Sequence, residues 1–302
     1  RLYLTSVGIF AGSLQLPLAR AADLTWNGGN SSWTDSGAWL LDGSSADWIN
    51  GSSALFQTGS TLIVGSGISA AGLLYEGAAV TLNGGSLTLA GNASGSNGGS
   101  ATVSGTALTL NSANQEDRWT VRDTSLSGSS TLTKTGNGTV TLSGTHTANG
   151  TWNINAGTLV FTGTRDITGG GQINIASGAV LDASGGRLFH AANYASNWEQ
   201  PTITLNGGTL KLNQFGYNSA SLGCLQNNFY ALKFSSGTTS RVIISQGYES
   251  GGTGSRGIYI AGWGTTAVIE LGANQTFTWS SSNGQNFDSI VCESGAGSAL
   301  QL

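Results

Sequence analysis

The 302-residue sequence contains no methionine, only two histidines, two cysteines and two prolines, and 9% charged residues. Each scarcity removes a class of protein. His146 and His190 are too few to suggest a histidine-based metal site or general base, and His146 falls in a repeat turn where a solvated polar residue is expected. Cys224 and Cys292 stand far apart in the chain and follow no metal-ligand spacing. In an exported chain, a disulfide between them would contribute about 3–4 kcal/mol by closing a long loop; two buried free thiols are the equal alternative. With 11 basic residues and a net charge of −4 there is no stripe to neutralise phosphates, which excludes nucleic acid as a partner. Long amphipathic helical patterns are missing, and with them doubly wound and bundle folds. The low charge does not signal disorder, because 38% of residues are apolar and 9 are tryptophan, whereas disordered chains combine high net charge with few aromatics.

What the chain has in quantity is glycine, 48 residues of it, followed again and again by short alternating strands. Gly138-Thr139-Val140-Thr141-Leu142 and Gly157-Thr158-Leu159-Val160-Phe161 are two successive copies of one unit. Weaker copies are Gly85-Ser86-Leu87-Thr88-Leu89, Gly105-Thr106-Ala107-Leu108-Thr109-Leu110, Gly178-Ala179-Val180-Leu181, Gly208-Thr209-Leu210-Lys211-Leu212 and Gly297-Ser298-Ala299-Leu300-Gln301-Leu302. The glycine turns the chain, and the alternation of apolar residues with Thr, Ser or Lys sends every second side chain inward. Similar strands recurring about every 20 residues are what a stacked β-solenoid requires. A sandwich of short strands is the structural alternative, but it needs no recurring strand sequence.

Leu2 to Leu18 is mostly apolar and is followed by Ala19-Arg20-Ala21-Ala22-Asp23, the layout of a secretory signal with an Ala-x-Ala cleavage site. Residues 1–22 are therefore expected to be removed on export, and with no methionine in the chain the start of translation is expected upstream of Arg1. Residues 23–60 follow as an N-terminal cap. Trp26, Trp33 and Trp39 fall close together, with Trp48 just behind. Exposed, they would suggest a carbohydrate-binding face; bulky aromatics also cover the open end of a solenoid, and this is the reading preferred. Residues 61–302 carry the repeats. The last unit stops in the middle of a coil, so further sequence is expected after Leu302, or else end-to-end self-association through an uncapped strand edge.

Leu132-Thr133-Lys134-Thr135-Gly136-Asn137-Gly138-Thr139-Val140-Thr141-Leu142-Ser143-Gly144, continuing through Gly150-Thr151 to Ile154-Asn155-Ala156-Gly157-Thr158-Leu159-Val160, resembles the autotransporter-associated β-strand repeat. The family pattern has leucine, a lysine two residues later, a Gly-x-Gly-Thr-Leu-Thr-Leu strand, an Asn-Thr-Tyr-Thr-Gly turn and a second Gly-Thr-Leu strand. Here Val140 replaces a leucine, His146 the usual asparagine and Ala148 the aromatic of the turn. The opening Thr25-Trp26-Asn27-Gly28-Gly29 also resembles the start of many exported proteins with this repeat. The resemblance implies a right-handed parallel β-helix in the passenger of a secreted or surface protein of a bacterium with an outer membrane. The membrane itself would be reached only through a C-terminal barrel, of which no strand pattern is visible here. In the family the repeat serves export and scaffolding and carries no catalytic residues.

The strongest enzymatic constellation is Asp166, Asp182 and Glu199, which recur at nearly even intervals, with Arg165 and Arg187 close by. Polysaccharide-active β-helices need two or three carboxylates, or a calcium site, on one face of adjacent coils. The intervals here fall short of the coil period. Gly169-Gly170-Gly171 is a turn, since no Gly-Lys-Ser/Thr follows to hold phosphate. Between His190 and Tyr259 aromatics accumulate where the repeat glycines become irregular. Trp198 and Tyr217 are the candidate contacts for a glycan or a host-cell protein, with a wider stretch of core as the competing reading. The expected function is a structural or adhesive passenger module without catalysis, cofactor or metal. The alternatives are a polysaccharide lyase or hydrolase and a subunit of an extracellular filament.

Overall fold

The computed structural model describes residues 22–28, 31–165, 171–188, 202–212, 215–216, 231–235, 238–244, 248–249, 259–262, 266–271, 276–278, 289–294 and 299–301, with side chains through 212 and again at 235 and 238–243. All regular structure among these residues is β-strand. The strands stack into parallel ladders, so the chain is an all-β parallel β-solenoid. One ladder runs Ser86–Leu89, Ala107–Asn111, Thr131–Thr135, Trp152–Ile154, Gln172–Ile175 and Thr202–Leu205. A second runs Arg118–Val121, Thr139–Leu142, Thr158–Phe161, Val180–Asp182 and Thr209–Leu212. A third joins Ser60–Ile63, Ala79–Asn83, Ser100–Ser104 and Thr124–Ser127. Each circuit of the chain adds a further rung to the stack.

The two best copies of the sequence unit sit directly on one another, Val140 beside Leu159 and Leu142 beside Phe161. The weaker copies are distributed between ladders. Ser86–Leu89 and Ala107–Asn111 stack in the first, whereas Val180–Asp182 and Thr209–Leu212 continue the second. The unit therefore encodes a strand rather than one particular face.

Alternation places the core as expected. Leu87, Leu108, Leu132, Trp152, Ile173 and Ile203 form one continuous inward row, and Trp119, Val140, Leu159, Leu181 and Leu210 another. Facing rows of apolar side chains exclude water along the stack, which is the dominant favourable contribution to such a fold. The corners demand glycine where coils approach closely. Gly136 and Gly157 have φ of 70° and 62°, and a Cβ at Gly157 would collide with the carbonyl oxygens of Gly136 and Gly138 in the coil beneath.

At the N-terminal end the first rung, Asp23–Trp26, pairs in parallel with Ser52–Phe56 on one side. On its other side it pairs antiparallel with Trp39–Leu41, which in turn pairs with Ser44–Ala46. This hairpin leaves a short, polar strand at the edge, an arrangement that discourages further pairing. Beneath it the aromatics cluster. Trp39 lies 5.1 Å from Trp26, 5.0 Å from Trp33 and 4.7 Å from Trp48, and Phe56 and Tyr75 extend the contact into the next coils. Trp26, Trp33 and Trp39 are buried, so they form no open sugar-binding platform. The indole N–H of Trp39 donates to the Trp33 carbonyl and that of Trp26 to the Ser60 hydroxyl.

Candidate functional site

The stretch from Leu132 to Phe161, which supplies two successive rungs to each of the first two ladders, differs from its neighbours in what it buries. Lys134, His146 and Arg165 are each fully buried, and apart from these three the buried polar residues among those described are all serines and threonines. Lys134 and His146 lie within this stretch, and Arg165 follows it at the rung next to His146. None was legible as a core residue from its type, and the expectation of a solvated His146 is overturned. Its inward place follows from pairing with Arg165 on parallel strands, where both point into the stack.

Lys134 occupies the inward row Leu89, Leu110, Lys134, Ile154, Ile175, Leu205. Its ammonium reaches the glycine corner and donates to the carbonyl oxygens of Thr135 and Gly136 at 2.8 Å each and of Ala156, in the next coil, at 3.1 Å. Burial lowers its pKa to about 8. The three carbonyl dipoles nonetheless supply the solvation that a buried cation requires. The signal in the sequence was the two-residue step from Leu132, which places Lys134 on the inward side.

His146 accepts a hydrogen bond at Nδ1 from the Leu126 N–H, 3.2 Å away in the preceding coil. Its ring lies 5.9 Å from Trp152 and 5.7 Å from Phe161. Burial, reinforced by the positive charge of Arg165, lowers its pKa to about 4, so the ring is neutral at physiological pH. Arg165 lays its guanidinium over the Trp152 ring, 4.5 Å from the centroid, and donates from Nη2 to the Gly150 carbonyl at 2.8 Å. Such a cation–π contact gains strength when desolvated. Ala148, at the place of the family's aromatic, is buried, and the turn is tied to the coil below by the Thr147 and Ala148 N–H groups, both donating to the Leu126 carbonyl.

Of the carboxylate constellation, only Asp182 lies among the described residues. Asp182 points outward between Val160 and Lys211 in its ladder, with no carboxylate at either neighbouring rung. It accepts from the Ser184 hydroxyl at 2.6 Å and N–H at 3.2 Å and faces the Lys211 ammonium at 3.7 Å. Arg165 is in the core and its N–H donates to the Arg187 carbonyl, so neither of those residues' placement follows from nearness to an acidic partner in sequence. Asp166, His190, Trp198, Glu199, Tyr217 and Cys224 lie outside the described residues. Cys292 falls on Ser289–Ser294, opposite Ile269. No group of three or more His, Cys, Asp or Glu side chains suited to a metal ion occurs among the described residues.

Residues 132–161 match the model of the passenger-associated-transport-repeat family. The matched segment contains the buried Lys134 and His146. No curated protein and no solved structure shows significant similarity to the chain. The chain thus carries an autotransporter passenger-associated repeat within a parallel β-solenoid.

Proposed function

We propose that this chain is a non-catalytic, adhesive passenger module displayed on or released from the surface of a bacterium with an outer membrane. The observation that carries the reading is the transport repeat itself, residues 132–161, which stacks on itself and continues the ladders of the coils before and after it in register. A solenoid of this kind is a rigid scaffold whose side faces present long in-register rows, such as Thr88, Thr109, Thr133, Asn153, Asn174 and Thr204. Such extended surfaces suit recognition of glycans or host-cell proteins more than they suit chemistry.

The test has three parts. Protease shaving of intact cells should remove the chain, which places it at the surface. The purified chain should bind host cells or an immobilised glycan panel saturably. It should release no oligosaccharide from a panel of neutral and uronic-acid polymers. Binding to neither cells nor glycans would overturn the adhesive role. Polymer cleavage that is abolished by Asp182→Ala would replace the proposal with a polysaccharide-active enzyme.

A further inference from the structure

Coils built from interchangeable strands have weakly specified register. Thr139–Leu142, Thr158–Phe161 and Thr209–Leu212 place buried apolar residues at every second position, and Val180–Asp182 buries Leu181 between two outward residues. A strand displaced by one whole coil would still bury its apolar row, because the displacement leaves the inward and outward faces unchanged. Hydrophobic burial alone therefore discriminates poorly between neighbouring stacking orders.

Lys134 does discriminate. It interrupts an otherwise apolar row, and its ammonium is satisfied by a particular set of acceptors drawn from two coils, Thr135 and Gly136 at its own corner and Ala156 at the next. Adjacent corners do not reproduce that set. After Ala107–Asn111 the chain makes a different turn, in which Asn114 and Asp117 bond to one another. After Gln172–Ile175 the corner is again different, a tight turn in which the Ala179 N–H donates to the Ala176 carbonyl. His146 adds a second tie between coils by accepting the Leu126 N–H, and Arg165 a third through the Gly150 carbonyl.

The geometry points to a register pin: the buried basic groups of this coil, Lys134 foremost, select one stacking order, because only there does the ammonium keep its three acceptors. A displaced coil would keep the local Thr135 and Gly136 carbonyls but lose the Ala156 carbonyl, leaving a buried ammonium short of one acceptor, which is unfavourable. Fixing register at some expense of stability is the best-attested use of a buried polar group in a repetitive apolar interface. The inference requires the solenoid but not the adhesive role, so failure of either leaves the other standing.

Paired cysteines on the outward row report the register. Thr141 and Val160 are rung neighbours, and Val160 and Asp182 are the next pair. T141C/V160C is therefore within disulfide reach in the native order, whereas positions 141 and 182 are two rungs apart, about 9.6 Å, and meet only after a one-coil slip. Both pairs are refolded from denaturant under mild oxidation with Lys134 present and with Lys134→Met, and the bridges are mapped by mass spectrometry. With K134M the T141C/D182C bridge should rise several-fold while the thermal midpoint stays level or increases. His146→Leu is carried through the same assay, and a rise with either variant supports the pin. No rise with either overturns it, as does a K134M chain that fails to regain its β-sheet circular dichroism, since a lysine needed for folding as such is not a register device.

Discussion

His146 and Arg165 occupy one inward position on successive coils, backbone paired to backbone, with both side chains fully buried. Two basic groups stacked in this way do not both carry charge at neutral pH. Arginine keeps its proton at any accessible pH, and it is held over Trp152 with a carbonyl acceptor at Gly150. The imidazole is the member that yields, and it sits neutral among aromatic rings.

This arrangement makes the fold acid-sensitive. The His146 pKa is lowered from 6.5 to about 4 on folding, so between those values the unfolded chain binds a proton that the folded chain does not. Stability from this group is fully present above pH 6.5 and is lost as pH falls towards 4, with a limiting slope of about 1.4 kcal/mol per pH unit. Urea midpoints measured from pH 7 to pH 4 should decline through this window. In H146L the decline should be shallower by up to that slope.

Replacing Arg165 separates its two roles. Arg165→Ala removes the guanidinium from Trp152, leaves the Gly150 carbonyl without its donor and opens a void, with an expected loss of about 3 kcal/mol or more in denaturant unfolding. Arg165→Met fills the same space without charge and should cost far less. Because the Arg165 charge helps to hold His146 neutral, the His146 titration followed by proton NMR should move upward in R165M.

The aromatic cluster predicts where the N-terminal end is weakest. Trp39 touches Trp26, Trp33, Trp48 and Phe56 and donates to the Trp33 carbonyl. Trp39→Ala should destabilise the first coils by about 3–5 kcal/mol. Hydrogen exchange should show the loss of protection concentrated in Asp23–Phe56, with the coil at 132–161 little affected.

Gly157→Ala tests the corner stacking. The substitution combines a φ of 62° with a Cβ placed against the Gly136 and Gly138 carbonyls, which are fixed backbone atoms of the coil beneath. Strain of this kind costs about 1–3 kcal/mol before the collision is relieved, so the thermal midpoint should fall clearly. Gly178→Ala, at φ 73° with open space around its Cβ position, should fall less.

Much of the architecture was legible in the chain itself. The repeated Gly-Thr-Val-Thr-Leu unit determined strand, alternation and the stacking of Thr139–Leu142 on Thr158–Phe161, because period-two hydrophobicity and a coil-length recurrence are local properties. The same pattern marked Val140, Leu142 and Leu159 as core, and all three are buried. Three tryptophans ahead of the repeats were enough to point to an aromatic cluster at that end.

Only the tertiary structure decided which strands share a ladder, that an antiparallel hairpin closes the first rung, and what surrounds the basic residues. A lysine on an inward position reads as an irregularity until the corner carbonyls of Gly136 and Ala156 are seen around it, and these come from two successive coils. His146 reads as a turn residue until Arg165 is found at the next rung and Trp152 beside it. Apolar burial is written residue by residue along the sequence. The satisfaction of a buried charge depends on atoms from different coils converging on one point, and that convergence exists only once the coils are stacked.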